Sequence, residues 1–347
     1  MGIEEISEKW NEPVFPGSNS LLQESYFIKV NDKNQAIWLK FTVLQGHQQK
    51  EFEVWGLVFP EKGRPFGLKV NVPEEETVVR PGELRFGDCL LKQQGGNLHC
   101  SGRIKENKTS MEWDFSLSGS ESLRLFPLDF MYTSSFPKRK LVSPFFDAKA
   151  KGSLHFSGPG KKFSMKFKDA SGMQGHNWGS EHSHRYVWAH CNTLRDEKNS
   201  GIPAVFEGFS GKIKVGPFIT PHLTGLFLKP DAEFAAQYGI SCFDLLAVNR
   251  YLNKTVSVDE SNMTWDWTAD YNPIRIAGKF KADRGNTAGL KYFDPDGKLH
   301  YCYNSKKAEC SISLIHRKSN IVLREYHSSS CALEFLTDLE FKEMILF

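Results

Sequence analysis

No stretch of this 347-residue chain approaches the ~20 consecutive apolar residues of a membrane helix, which excludes an integral helical span. Neither sign of charge dominates: 44 lysines and arginines stand against 41 aspartates and glutamates, for a net charge of +3. A nucleic-acid footprint needs a concentrated basic surface. Nucleic acid is therefore not an expected partner, and Lys138-Arg139-Lys140 reads as a solvated loop. Paired cysteines are missing too. The seven present (Cys89, Cys100, Cys191, Cys242, Cys302, Cys310 and Cys331) are odd in number and lack a Cys-x-x-Cys spacing. This argues against a disulfide framework and for buried free thiols in a reducing compartment. Residues 1–9 are acidic and lack the apolar segment of a signal peptide, so a cytoplasmic location is the expectation. There is no Gly-x-Ser-x-Gly elbow and no glycine-rich loop opening a helix, which removes serine-hydrolase and phosphate-loop chemistry. Helical periodicity is scarce: only Asp231–Gln237 and Leu333–Met344 carry it.

What the chain does have is a succession of short alternating strands. Tyr26–Val30 and Ile37–Val43 flank Asn31-Asp32-Lys33-Asn34, the pattern of a hairpin. Glu51–Phe59 alternates, with Phe52, Val54 and Val58 opposite Glu53, Trp55 and Leu57. Lys151–Phe156 and Phe163–Phe167 surround Ser157-Gly158-Pro159-Gly160, and Leu290–Phe293 and Lys298–Tyr303 surround Asp294-Pro295-Asp296-Gly297. Both are turn sequences. The length suits two domains with a core each. Met111-Glu112-Trp113-Asp114-Phe115-Ser116 echoes Met263-Thr264-Trp265-Asp266-Trp267-Thr268, as though one strand recurred in two similar β-domains. The polar run 195–201 marks a junction, giving expected domains of 8–197 and 198–347.

Residues 172–191 concentrate the chemistry. Gly172, Gly175 and Gly179 precede or intersperse four histidines (His176, His182, His184, His190), Trp178, Trp188 and Tyr186. Glycines permit positive φ and close approach to the backbone, so this is where a β-unit would furnish a pocket. Beside the expected junction, it would lie at a seam, a favoured place for ligand sites.

These residues carry a resemblance. Glu24-Ser25-Tyr26-Phe27, Gly175-His176-Asn177-Trp178-Gly179, His182, Arg185-Tyr186-Val187-Trp188 and Phe206-Glu207-Gly208-Phe209-Ser210 belong to it. So do Asp294-Pro295-Asp296-Gly297 and Cys302-Tyr303-Asn304-Ser305. Together they make the chain similar to the lipocalin-like superfamily of bacterial carotenoid hydratase (hydroxyneurosporene synthase), tocopherol cyclase and fungal decalin-forming cyclases. The resemblance implies an all-β fold of two tandem lipocalin-like barrel or sandwich domains, with a hydrophobic pocket at or near their junction. It implies no cofactor and no metal. It also implies a His-Trp pair near the active site and a catalytic carboxylate on a downstream strand. That carboxylate is an aspartate in the hydratases; here the matching position holds Glu207, without a clear accompanying tyrosine.

Each candidate has a chemical and a structural reading. His176 and Trp178 point to one face: His176 could orient a carboxylate or water and Trp178 face a cation, or the pair could plug a barrel corner. Glu207 shares a face with Val205 and Phe209, where burial would keep it protonated as an acid for an alkene; the alternative is a salt bridge to Arg185 or Arg195. His182, His184, Tyr186, Trp188 and His190 would line one face of a regular strand. A metal there is disfavoured, since alternate residues lie ~6–7 Å apart and only two could converge on one ion. Tyr186 and Trp188 are expected as pocket wall, with Phe206 and His190 as further substrate contacts. Glu24 either faces the pocket or caps a barrel end.

The leading expectation is a cofactor-independent, non-redox enzyme. It would act on a hydrophobic isoprenoid, polyene or polyketide by acid-assisted hydration, cyclisation or isomerisation of a double bond. Glu207 would be the acid and His176 its orienter. A non-catalytic carrier or sensor of lipophilic molecules is the alternative, with an interaction protein holding a vestigial pocket as a third. The partner is a lipophilic small molecule, with room for transient contact with a membrane surface.

Overall fold

A computed structural model describes residues 3–15, 20–47, 50–196, 201–215, 217–246 and 254–347. The first sheet contains thirteen strands. They are β1 (Ile3–Glu5), β2 (Leu22–Asp32), β3 (Gln35–Gln45), β4 (Lys50–Phe59), β5 (Phe66–Val72), β6 (Thr77–Arg80) and β7 (Glu83–Phe86). They continue with β8 (Cys89–Gln94), β9 (Asn97–Glu106), β10 (Thr109–Gly119), β11 (Glu121–Arg124), β12 (Arg139–Gly158) and β13 (Lys161–Gly179). A short helix, α1 (Phe130–Thr133), lies between β11 and β12. The second sheet contains β14 (Arg185–Leu194), β15 (Ala204–Lys212), β18 (Leu223–Lys229), β19 (Phe243–Asp244) and β20 (Lys254–Asp259). It ends with β21 (Thr264–Tyr271), β22 (Ile274–Lys281), β23 (Ala288–Phe293), β24 (Leu299–His316) and β25 (Val322–Thr337). A separate ribbon pairs β16 (Lys214–Val215) with β17 (Phe218–Ile219), and α2 (Ala232–Tyr238) follows β18.

The turns fall where the sequence puts them. The β2–β3 hairpin reverses at Lys33, whose φ is +54°. The β23–β24 connection closes on Gly297, at φ +88°, whose N–H donates to Asp294 O at 2.8 Å. α2 begins at Asp231, whose side chain accepts from Phe234 N, and ends on left-handed Gly239, so the expected helix at 231–237 forms. Leu333–Met344 does not form one. Leu333–Thr337 completes β25, paired on both sides with β14 and β24. Two flanking strands satisfy its backbone, and sheet pairing overrides weak helical spacing.

The two sheets share one order. In the first, β5-β4-β3-β2-β13-β12-β10-β9-β8 run side by side; in the second, β19-β18-β15-β14-β25-β24-β22-β21-β20 do. In each, the sheet's last strand (β13, β25) lies beside an early one (β2, β14). Strand β5 returns against β9 and β10, so the first sheet curls into a barrel. Lys254 of β20 donates to Thr224 O of β18 at 2.6 Å, drawing the ends of the second sheet together. Each barrel holds its own core: Ile28, Phe41, Val54 and Trp113 in the first; Val187, Phe206, Trp265 and Tyr326 in the second. This is the two-unit lipocalin-like all-β architecture that was expected. The tryptophan echo sits in both cores, but on β10 and β21, which hold different places in the shared order.

Gly179 ends the first sheet. Its φ is +158°, and a Cβ there would lie 1.9 Å from Lys138 O. Arg185 opens the second sheet, so the changeover falls between 179 and 185. The expected junction at 197/198 lies outside the described residues; β14, which precedes it, belongs wholly to the second sheet. The alternation of β4 separates the barrels: Phe52, Val54 and Val58 enter the first core, while Trp55 and Leu57 pack with Trp188, Leu290 and Leu336 of the second unit.

Candidate functional site

Between the barrels lies a cavity of about 660 Å³, within the usual range for small-molecule sites. Its apolar wall includes Phe27, Trp38, Leu141, Trp188, Phe209 and Leu246. The segment 125–137 contributes Phe126, Pro127, Met131 and Phe136. Leu128, Phe130 and Phe136 in that segment, and Phe218 and Ile219 of the β16–β17 ribbon, are exposed. No helix among the described residues is long and apolar enough to cross a membrane.

Charged and hydroxyl groups gather on this wall from both barrels. Lys40, from β3, holds its Nζ 3.8 Å from the centre of the Tyr292 ring and 5.5 Å from that of Trp55. It has no hydrogen-bond acceptor among the described residues, and burial pulls its pKa down to about 8. Arg139 donates to Gln23 O at 3.2 Å and to the Asn177 amide oxygen. Burial opposes its charge, while Tyr186, Asp294 and Glu334 favour it. The Tyr186 hydroxyl donates to Glu334 Oε1 at 2.5 Å, and Glu334 Oε2 accepts from Asn304 at 2.8 Å. Burial, reinforced by Glu334, drives the Tyr186 phenol well above its ordinary pKa. Lys40, Arg139, Glu334 and the neutral Tyr186 phenol thus share a largely apolar chamber, where fields are weakly screened.

Beside this group, Asp294 accepts from His182 N (2.8 Å), His182 Nδ1 (2.5 Å) and His300 Nε2 (2.8 Å). Burial opposes the Asp294 charge, but those bonds hold its carboxyl well below the usual range. Burial drops His182 to about 3, so it stays neutral. The turn at 294–297 thereby fixes the loop that leads into β14.

Of the residues singled out from sequence, Tyr186 and Trp188 line the cavity. His182 and His184 precede β14 in a loop, so the regular strand covers only Tyr186, Trp188 and His190. His190 lies deeper, between Phe146 O (2.8 Å) and Lys29 Nζ (3.2 Å). Glu207 is fully buried behind Trp188 and is not a lining residue. Its Oε1 accepts from Ser143 Oγ (2.8 Å) and Trp188 Nε1 (3.0 Å), and it pairs with neither Arg185 nor Arg195. Burial raises its pKa to about 7 despite those bonds. Phe206 points the other way, onto Trp265, Trp267 and Phe280 in the second core, because adjacent strand residues face opposite sides.

The pairing of His176 with Glu207 is not formed. Asn177 faces the cavity, so His176 and Trp178 face away from it. His176 bonds Trp10 O (2.7 Å) and Glu24 Oε1 (2.9 Å). Glu24 also accepts from Val14 N, Phe15 N and the Tyr26 hydroxyl. Burial opposes its charge, but His176 and the two amides hold its pKa down. Trp178 packs on Tyr132 and Val142. Glu24, His176 and Trp178 therefore fasten the N-terminal segment against the first barrel. Sequence reasoning missed Lys40 and Glu334, each one polar residue in an ordinary strand. It read Lys138-Arg139-Lys140 as a solvated loop, whereas Arg139 opens β12 on the cavity wall and Lys140 is buried. Only the Asp294 turn carried a local signal.

A two-barrel lipocalin-like protein with a cavity at its seam is the class that fold and site define. Among solved structures the chain is similar to CghA, at 11% identity and TM-score 0.55, over 92% of this chain and 89% of that one. A structure of CghA with Sch210972 matches at 9% identity and TM-score 0.53 over the same shares. Kievitone hydratase from Nectria haematococca matches at 9% identity and TM-score 0.49, over 95% and 91%. At such identities the likeness to CghA is one of fold. No protein-family model matches the chain, and no curated protein matches its sequence.

Proposed function

We propose that the protein is a non-redox enzyme that encloses a hydrophobic polyene, isoprenoid or polyketide in the seam cavity and promotes hydration, cyclisation or isomerisation of a double bond. The observation that carries this reading is Lys40: a cation in an apolar chamber, without an acceptor among the described residues, with its pKa brought down to about 8. A donor whose pKa lies near the working pH is suited to proton transfer. Lys40 and Arg139 would polarise an oxygen conjugated with the reacting double bond, with Lys40 as proton donor in place of Glu207. Glu334, reached through the Tyr186 hydroxyl, would receive the proton released elsewhere on the substrate. Trp38, Trp188 and Phe27 would hold the chain of the substrate and keep bulk water away. CghA, recorded with Sch210972, supports the use of this fold to hold a ligand. The exposed Phe130, Phe136 and Phe218 suit transient contact with a membrane surface during ligand uptake.

The test is turnover and ligand binding in Lys40→Met and Lys40→Arg. Loss of general-acid catalysis in Lys40→Met should lower kcat by about 10²–10⁴-fold with affinity for a lipophilic ligand nearly kept. The wild-type rate should fall above pH 8 as Lys40 deprotonates, and Lys40→Arg should lose that alkaline limb. An unchanged rate in Lys40→Met refutes the role. Tight binding without turnover of any lipophilic metabolite in the wild type identifies a carrier instead.

A further inference from the structure

Three of the seven cysteines converge. Cys191 of β14, Cys310 of β24 and Cys331 of β25 point into the second barrel, and their Sγ atoms lie within 4.8 Å of one another. Their exposures are 0%, 5% and 0%, and all three are free thiols. A single buried cysteine is an ordinary small apolar side chain. Three from three strands, with their sulfurs gathered at one point, form a donor set. Around a cation with metal–sulfur bonds of about 2.3 Å, the sulfurs stand roughly 4 Å apart, so a small contraction completes the geometry.

A second observation comes from outside the cluster. Lys29, from β2 of the first barrel, is fully buried, and its Nζ contacts His190 Nδ1 at 3.2 Å. No carboxylate bonds it among the described residues; burial pulls its pKa down, opposed by the nearby sulfurs of Cys191, Cys331 and Cys310 and by Glu207. A buried ammonium needs an anion beside it. Three thiolates would carry one net negative charge on a divalent ion and two on a monovalent one, and either would supply that anion. Above the cluster, Cys191 Sγ lies 3.4 Å from Thr193 Oγ1, which meets Ser328 Oγ at 2.7 Å. Thr193 and Ser328 are half-buried, so these hydroxyls stand between the thiols and solvent.

We propose that Cys191, Cys310 and Cys331 form a trithiolate site for one thiophilic cation of the Zn(II) or Cu(I) type. All-sulfur donor sets select such soft ions over Mg(II) or Ca(II). The ion would be structural and would clamp β14, β24 and β25 together. Those strands carry Tyr186, Asn304 and Glu334 on their opposite face, so the clamp would fix the register of that hydrogen-bonded chain. The site stands apart from the cavity and does not depend on the function proposed for it.

The test uses the full chain, purified under reducing, oxygen-free conditions and supplied with Zn(II) in one arm and Cu(I) in the other. About one ion per chain should be retained in at least one arm, with a raised Tm, as for any ligand bound only by the native state. X-ray absorption on that sample should show three sulfur neighbours. Cys191→Ser should weaken binding by at least 100-fold. Failure to retain either ion with no Tm shift overturns the proposal, as does a bound ion with fewer than three sulfur neighbours. The wild-type measurements decide it even if the variant does not fold.

Discussion

Glu207 offers a quantitative test of how the seam is built. Its carboxyl is fully buried, with Oε1 bonded to Ser143 and Trp188 and Oε2 without a partner among the described residues. Burial raises its pKa from 4.5 to about 7. The native protein therefore holds this proton more tightly than the unfolded chain. Below pH 4.5 both states are protonated and the site is at its most favourable. As pH rises from 4.5 through 7 that advantage is lost, and above 7 the loss is complete. Some two and a half pH units at about 1.36 kcal/mol each give roughly 3 kcal/mol by pH 8. Glu207→Gln keeps the shape and the bond from Trp188 but cannot ionise. Urea unfolding of variant and wild type should be followed at pH 5, 6.5 and 8. Subtracting one curve from the other cancels groups common to both, such as Lys40. The difference should move in the variant's favour by roughly 2.5 kcal/mol between pH 5 and 8, since the unfolded carboxyl is already mostly ionised at pH 5. A difference that stays flat with pH would refute the reasoning, because Glu207 would then be ionised, or neutral, in both states alike. Large loss of turnover at unchanged stability would return Glu207 to the reacting centre.

Two further outcomes follow from the packing. Glu24→Ala removes the acceptor for His176, Tyr26 and two backbone amides, and breaking such a buried pair should destabilise the fold by about 3–5 kcal/mol. Urea unfolding measures it; lost turnover with stability intact would instead place Glu24 at the substrate. In Gly175→Ala the new Cβ would stand 2.2 Å from the Phe27 ring, which packs edge-on against Trp188 in the cavity wall. Overpacking of about 1–3 kcal/mol and weaker ligand binding are expected in calorimetry. Unchanged values in both would show that Phe27 swings aside freely.

The hairpins, their turn residues and the all-β class follow from the sequence alone, because alternation and turn chemistry are local: Asp294–Gly297 and Asn31–Asn34 specify their turns through their own backbone and side chains. Tyr186 and Trp188 were legible as wall residues for the same reason, as strand neighbours two apart sharing a face. Partners were not legible. Glu207 and Val205 were correctly placed on one face, yet nothing in the spacing says that Trp188 stands between that face and the cavity, or that His176 turns away to meet Glu24, 152 positions distant. Lys40, Arg139, Tyr186 and Glu334 come from four strands in two barrels. Local sequence determines which way each side chain points from its own strand; which strands are set face to face is decided by the pairing order and by how the two barrels pack. The electrostatics of this seam belong to that second level, since burial between the two barrels, and nothing local in the sequence, lowers the pKa of Lys40 to about 8.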